Sequence, residues 1–190
     1  MIIKDIAQEV FHAEVYPGDP TPGFERIKSM EQGDVCNLTR FWMCAHNGTH
    51  VDAPAHFVRD GRTVDHMNLE DCIGTVWVMD GGAGWEQRIP DGYVRILVRG
   101  FEDVTLEQAH VLVEKGIRLI GTETQKMGDQ DVHRLLLGHG VVLLEGIRLQ
   151  AAPNGKAFLC AQPINLGGAE GAPCRPVLLY EDHQDSVLEK

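Results

Sequence analysis

Three histidines and one aspartate fall within eleven residues of the chain, in the segment His46-Asn-Gly-Thr-His50-Val-Asp52-Ala-Pro-Ala-His56. Asn47-Gly48 and Pro54 make a continuous helix unfavourable here, which excludes the H-E-x-x-H arrangement of helical zinc sites. In extended backbone, side chains two residues apart share a face. His50 and Asp52 are therefore predicted to point the same way.

A turn at Gly48 would bring a third ligand to this pair. Glycine admits a backbone conformation that carries His46 round to the same point, and His56 could join if the chain stays extended. Imidazole and carboxylate together suit Zn²⁺, Mn²⁺ or Fe²⁺ and need no thiolate. The alternative, solvated histidines in a polar loop, explains such clustering poorly. The segment predicts a divalent metal site.

Two further candidates lie downstream. Glu145 closes the apolar run 141–144, and His133 falls on a predicted short helix. A carboxylate at the end of a buried strand is costly unless it is paired or bound to a metal. Taken alone, Glu145 is explained by a strand end that meets solvent, and His133 by an ordinary helix face. Together with the first cluster, they would supply the remaining ligands of a two-metal centre.

The elements that must position these residues are mostly strands. Runs rich in β-branched and aromatic residues predict strands over residues 74–80, 93–99, 118–121, 141–145, 157–164 and 175–180. Helices are predicted over residues 105–115 and 131–137, the first with a capping box from Thr105 and Gln108. Strands and helices do not alternate regularly. We expect a mixed α/β fold with a largely antiparallel sheet or barrel and a few packed helices.

Length and charge narrow the possible functions. The 190 residues are enough for a single domain over residues 1–190, and the composition, 43% hydrophobic and 24% charged, is that of a globular protein. With 17 Lys and Arg against 28 Asp and Glu, the formal net charge is −11. Such a surface repels phosphate backbones and anionic lipid, so neither nucleic acid nor a membrane is expected as a partner.

The rest of the sequence predicts neither a targeting segment nor a second reactive cluster of side chains. No apolar run reaches the ~18 residues of a membrane span, and the first ten residues do not resemble a secretory signal, so we expect a cytoplasmic protein. The cysteines form no C-x-x-C pair and are expected to be buried thiols: Cys36, Cys44, Cys72, Cys160 and Cys174. The other histidines are expected to be structural or solvated: His12, His66, His110, His139 and His183.

The segment HNGTHVDAPAHF resembles the H-x-G-T-H-x-D-x-P-x-H signature of the cyclase-like metal-dependent hydrolases, the family of bacterial kynurenine formamidase and isatin hydrolase. Similar stretches run nearly end to end, at residues 16–19, 57–65, 133–146 and 168–175. The resemblance implies a β-barrel-like core surrounded by helices, of the swivelling β/β/α type, and a homodimer.

The resemblance also assigns metal ligands. His46, His50 and Asp52 would bind a first ion. Asp52, His133 and Glu145 would bind a second, with Asp52 and Glu145 bridging the two. The expected cofactors are two divalent ions, Zn²⁺ or alternatively Mn²⁺.

Two other positions acquire roles from the resemblance. His56 matches the acid/base histidine of the family, and Tyr16 takes the place where kynurenine formamidases commonly have a tryptophan against the substrate ring. The small-molecule substrate would be an aryl amide, with N-formylkynurenine hydrolysed to kynurenine and formate by metal-activated water. The alternatives are a relative that opens a cyclic amide or lactone, as isatin hydrolase does, and a metal-dependent binding protein without turnover. Retention of His56 argues against the last.

Overall fold

The computed structural model describes residues 1–101 and 103–181; His183 and the end of the predicted single domain lie outside them. Eleven strands lie in the described ranges: β1 Ile2–Asp5, β2 Gly23–Lys28, β3 Leu38–Trp42, β4 His50–Asp52, β5 Ile73–Asp80, β6 Arg95–Arg99, β7 Leu119–Thr122, β8 Val142–Glu145, β9 Gly155–Cys160, β10 Gly171–Pro173 and β11 Val177–Tyr180. The α-helices of these ranges are α1 Leu69–Cys72, α2 Leu106–Glu114 and α3 Gln130–Gly138. Short 3-10 turns occupy Met30–Gln32, Pro54–His56, Val64–His66 and Trp85–Arg88.

Nine of these strands form one sheet in the order β1-β11-β9-β5-β6-β7-β8-β4-β10, while β2 and β3 form a separate hairpin. The nine-stranded sheet curls into a half-barrel. Its central strands β5, β6, β7 and β8 pair in parallel, and its remaining pairings are antiparallel. The mixed α/β class and the strand-rich, largely antiparallel sheet are confirmed. In the parallel block, α2 is the crossover from β6 to β7 and α3 the crossover from β7 to β8, whereas β5 reaches β6 through a loop that contains the 3-10 turn Trp85–Arg88.

The parallel strands β6, β7 and β8 are buried on both faces, as expected where helices cover a parallel sheet. Alternate residues of one strand enter different cores. Leu97 and Leu119 belong to one hydrophobic cluster, while Ile96 and Ile120 belong to the cluster beneath α2 and α3. β8 is buried in the same way, with Leu144 in the first cluster and Leu143 in the second, and it ends at the candidate ligand Glu145.

Most predicted element boundaries agree with the structure to within two residues. The capping box is present, since Thr105 Oγ1 accepts from the Gln108 amide at 3.3 Å and the Gln108 side chain accepts in return at 3.0 Å. Strand β9 ends at Cys160 rather than at residue 164, because Pro163 lacks the amide hydrogen that a continuing ladder needs. Within the described ranges, no helix has the length and apolar character to cross a bilayer.

The expectation of buried thiols is wrong in part. All five cysteines are free, but only Cys72 is fully buried. Cys36 is exposed, because it lies in the loop between the hairpin strands β2 and β3, whose residues are themselves mostly exposed. A cysteine in this loop has no hydrophobic core within reach to bury it.

Gly146, directly after β8, occupies a position that other residues would fill poorly. Its φ is +68°, and a Cβ there would lie 2.7 Å from the carbonyl oxygen of Gly48. Gly116 has nearly the same φ, +69°, but a Cβ there would meet no described heavy atom within 4 Å. Substitutions at these two glycines therefore distinguish the cost of backbone strain, which both share, from the cost of close packing, which only Gly146 has.

Gly146→Ala should destabilise the protein more than Gly116→Ala. Both changes place alanine in left-handed backbone, at about 1–2 kcal/mol. Only the first also forces a methyl group against backbone, which adds about 1–3 kcal/mol. Urea unfolding of the metal-free protein measures the difference. Equal losses of unfolding free energy for the two variants would mean that the contact between Gly146 and Gly48 does not constrain the fold.

Candidate metal centre

Antiparallel pairing of β4 with β8 sets His50 directly opposite Glu145. Alternation along β4 places Asp52 on the same face as His50, as the sequence predicted. His50 Nε2 lies 3.4 Å from Asp52 Oδ1 and 3.4 Å from Glu145 Oε2. All three residues are at most 2% exposed. Two carboxylates and one imidazole thus meet out of contact with solvent.

His46 reaches this group through the predicted turn. Gly48 has φ +67°, and the turn is closed by Asn47, whose Oδ1 accepts from the Cys44 amide at 2.7 Å. His46 Nδ1 then lies 2.9 Å from Asp52 Oδ1. The glycine allows the chain to reverse between two ligand candidates four residues apart.

The fifth candidate comes from α3. His133 Nε2 lies 3.5 Å from Glu145 Oε1, and His133 Nδ1 donates to the Asp129 carbonyl oxygen at 2.8 Å. Asp129 also caps α3, because its Oδ1 accepts the amides of Asp131 and Val132. The cap and the histidine therefore share one residue, which sets the rotation of the helix relative to β8.

The five side chains form two overlapping groups. The donor atoms of each group all lie within 4.8 Å of one another, and Asp52 belongs to both: His46, His50 and Asp52; Asp52, His133 and Glu145. Glu145 Oε1 is buried and has no hydrogen-bond partner among the described residues. A buried carboxylate oxygen without a partner is costly, and a divalent cation would satisfy it. The imidazole and carboxylate donors fit such a cation.

His56 lies beside the cluster rather than within either group. It ends a 3-10 turn that begins at Pro54, so the extended path that would have carried it onto the face of Asp52 is absent. Its Nε2 lies 4.0 Å from Asp52 Oδ2, and its ring stacks on His46 with centroids 4.1 Å apart. Its side chain is 28% exposed, against 1% for Asp52. His56 thus contacts both the buried carboxylate and the open side of the site.

In Asp52 and His50, the contacts between imidazole and carboxylate affect the pKa more than burial does, whereas in His56 burial has the larger effect. Burial opposes ionisation of Asp52, but the His46 and His50 imidazoles outweigh it and hold the pKa of Asp52 far below its usual range. Burial likewise opposes the charged form of His50, yet the Asp52 and Glu145 carboxylates raise its pKa to about 10. Burial lowers the pKa of His56, against a weaker opposing effect of Asp52.

A cavity of about 460 Å³ opens over this cluster. Its wall includes Tyr16, Phe57, Gln125 and Lys126 in addition to His46, His50, His56, His133 and Glu145. Tyr16 begins a tight turn in which its carbonyl oxygen accepts from the Asp19 amide at 3.0 Å. The tyrosine predicted to contact the substrate therefore faces the same cavity as the candidate ligands.

Two contributors were not foreseen from the sequence. Thr49 is buried, and its hydroxyl donates to the Gly146 carbonyl oxygen at 2.7 Å, which ties the histidine-rich segment to the residue after Glu145. Glu170 Oε1 lies 3.3 Å from His46 Nε2. The signal for Glu170 was its place between two glycines near the C-terminal end of the resemblance, where only the glycine, proline and arginine positions were matched.

The sequence matches one family model and, over most of its length, a curated relative. A family model described as "Putative cyclase" matches residues 5–100. A kynurenine formamidase of Erythrobacter litoralis is 30% identical in an alignment 187 positions long that covers 86% of this chain and 87% of the relative.

Solved structures share the fold. A predicted metal-dependent hydrolase from Bacillus stearothermophilus superposes with a TM-score of 0.78 at 26% identity, over 93% of this chain and 97% of the other. Isatin hydrolase A of Ralstonia solanacearum gives a TM-score of 0.80 at 22% identity, over 95% and 92% of the two chains. This second likeness concerns the fold alone.

Zinc should stabilise the native protein through this cluster. A ligand that binds only the folded state at 100 times its Kd adds about 2.7 kcal/mol, so ZnCl₂ should raise the unfolding midpoint of metal-free protein. Glu145→Gln should lose most of that increase, because it removes the negative charge of a candidate ligand whose Oε1 has no hydrogen-bond partner among the described residues. Calorimetric scans with and without zinc measure it. Glu114→Gln, on the exposed side of α2, is the control; an equal zinc effect in both variants would exclude Glu145 as a ligand.

Proposed function

The chain belongs to the cyclase family and is a metal-dependent hydrolase, and we propose that its substrate is N-formylkynurenine, which it hydrolyses to kynurenine and formate. The observation that carries this proposal is the buried carboxylate and imidazole cluster at the base of a cavity, with a partly exposed histidine beside it. The similarity to a curated kynurenine formamidase supports the choice of substrate.

We assign two metal ions to the cluster. His46, His50 and Asp52 would hold one, and Asp52, His133 and Glu145 would hold the other, so that Asp52 would belong to both sets. The family resemblance implies the same shared role for Glu145. The close approach of the donor atoms and the unpartnered Glu145 oxygen support this assignment. Zn²⁺ suits an imidazole-rich donor set, and Mn²⁺ is the alternative. When bound, such ions lower the pKa of a water molecule and polarise a carbonyl group.

The chain's own residues then position the amide and move the proton. Hydrolysis breaks the C–N bond, joins the water oxygen to the formyl carbon, and requires a proton on the departing aryl nitrogen. His56 is assigned to that transfer, because its ring lies against the cluster and still reaches the open cavity. Tyr16 and Phe57 offer aromatic surface for the substrate ring. A cavity of about 460 Å³ falls within the usual range for small-molecule sites.

We also propose a cytoplasmic homodimer. The hairpin of β2 and β3 exposes about half of the side chains of Phe24, Phe41 and Trp42, a surface that a second copy would cover. The free state of the five cysteines fits a reducing compartment.

A related activity is the opening of a cyclic amide or lactone, the alternative that the signature at residues 46–57 leaves open, because it resembles that of a family which includes isatin hydrolase. Turnover of N-formylkynurenine, isatin and a simple lactone by metal-replete enzyme distinguishes the possibilities. We expect N-formylkynurenine to have the highest kcat/KM. A higher value for isatin or the lactone would reassign the substrate within the same chemistry, and no turnover of any substrate would favour a binding protein.

Tyr16→Ala should raise KM for N-formylkynurenine much more than for a small aliphatic formamide, because only the aryl substrate loses a stacking surface. Steady-state kinetics with both substrates measure the ratio. Tyr16→Phe is the matched control, since it keeps the ring and should keep the preference. Equal effects of the alanine change on both substrates would make Tyr16 a packing residue.

His56→Ala should lower kcat by about 10²–10⁴-fold, the usual contribution of a general acid or base. Metal content should stay near wild type, whereas His50→Ala should lose both metal and activity. Added imidazole should restore part of the His56→Ala rate, because it can enter the open cavity and carry the proton. Loss of a metal ion from His56→Ala would make the residue a ligand and would move the proton donor elsewhere.

A further inference from the structure

Each of the three histidines of the candidate metal centre has a hydrogen-bond partner at the ring nitrogen that faces away from Asp52 and Glu145. His50 and His133 direct Nδ1 at backbone carbonyl oxygens, at 3.0 and 2.8 Å. His46 differs, because its outer nitrogen, Nε2, faces a side chain: Glu170 Oε1 at 3.3 Å. Of the three outer contacts, this is the one that a point substitution can remove.

The inner nitrogens converge on the cluster. His46 Nδ1 lies 2.9 Å from Asp52, and the Nε2 atoms of His50 and His133 lie 3.4 and 3.5 Å from Glu145. Metal-binding histidines commonly donate their second ring N–H to a carboxylate or a carbonyl oxygen, which fixes the tautomer and the ring orientation. Each histidine here has that arrangement.

We propose that Glu170 is the positioning residue of His46: it accepts the Nε2–H, so that the Nδ1 lone pair of His46 points into the ligand cluster. The inference rests on the proposed metal site and adds to it a residue outside the ligand set. Glu170 acts through His46, and it belongs to neither of the two groups of candidate ligands.

The backbone around Glu170 supports this role. A Cβ on Gly171 would lie 2.6 Å from His46 Cε1, so the imidazole ring lies directly against the Gly171 backbone. Gly171 pairs with Asp52 across β10 and β4, and the Glu170 carbonyl oxygen accepts from the Ala53 amide at 2.8 Å. Glu170 and Gly171 therefore form one support for the His46 ring, attached to the strand that carries Asp52.

His46 needs such a support more than the other two histidines do. His50 belongs to a strand that is paired on both sides, and His133 belongs to α3. His46 lies in the turn before β4, outside any helix or strand. The Glu170 side chain is 45% exposed, so its removal should cost little folding free energy. Its effect should instead be found in the affinity for metal.

The test measures zinc affinity in a His133→Ala background, where the site on His46, His50 and Asp52 remains. Competition with a chromophoric chelator gives Kd. Adding Glu170→Ala should weaken binding 10- to 100-fold, the usual cost of losing an outer-sphere partner, while Glu170→Gln should recover most of it by retaining an acceptor oxygen. Glu9→Ala is the matched control, because it breaks a Glu–His contact, to His12, on the exposed surface.

A second readout reports the ring itself. Long-range ¹H–¹⁵N spectra of the zinc-loaded protein should show His46 bound through Nδ1, with a proton on Nε2 that Glu170→Ala exposes to exchange. Unfolding midpoints of the metal-free variants should match. Unchanged affinity in Glu170→Ala, an equal loss in Glu170→Ala and Glu9→Ala, a lower metal-free midpoint that accounts for the loss, or zinc on Nε2 would each overturn the inference.

The same series separates this inference from the proposed metal site. His46→Ala should lose zinc binding in the His133→Ala background. If it binds zinc as its parent does, the ligand assignment itself is wrong. If His46→Ala loses zinc while Glu170→Ala does not, the ligand assignment stands and the role given to Glu170 alone fails.

Discussion

The carboxylates of Asp52 and Glu145 are almost completely withdrawn from water, and the arrangement around them compensates that buried charge. An isolated buried carboxylate costs several kcal/mol, more than most single interactions return. Three imidazoles surround the pair, yet one Glu145 oxygen still lacks a hydrogen-bond partner among the described residues. Imidazoles alone leave the charge incompletely satisfied, which is the physical reason for a divalent cation at this point. A cation held there to compensate the carboxylate charge would also activate the water molecule that hydrolysis needs.

The fold brings the two carboxylates together through two loops, each of which turns at a glycine in left-handed backbone conformation. Gly48 reverses the chain before β4 and Gly146 reverses it after β8, and the two loops touch, since the Thr49 hydroxyl donates to the Gly146 carbonyl oxygen. The parallel strands and the crossover helix α3 then bring His133 to the same end of β8. The ligand candidates therefore come from regular elements and tight turns, which hold the two buried carboxylates close together.

Local pattern predicted those parts of the site that depend on neighbouring residues. Alternation gave the shared face of His50 and Asp52, and the glycine gave the turn that returns His46. The pairing of β4 with β8 was beyond such reasoning, because β4 has three residues and no periodicity to detect. Glu145 was joined to the first cluster by the cost of a carboxylate that ends a buried strand and by the family resemblance, without knowledge of the strand register. The chain does not take the extended path on which His56 could have joined the face of Asp52, because Pro54 starts a 3-10 turn. Glu170 was missed because its partner lies far away in sequence.

The most direct test of the proposed two-metal centre is a titration of metal-free protein with ZnCl₂, in which bound zinc and N-formylkynurenine turnover are measured on the same samples. A two-metal centre predicts activity that rises until two ions are bound per chain and follows occupancy of the second. Full activity at one ion per chain, or turnover in metal-free protein, would contradict it.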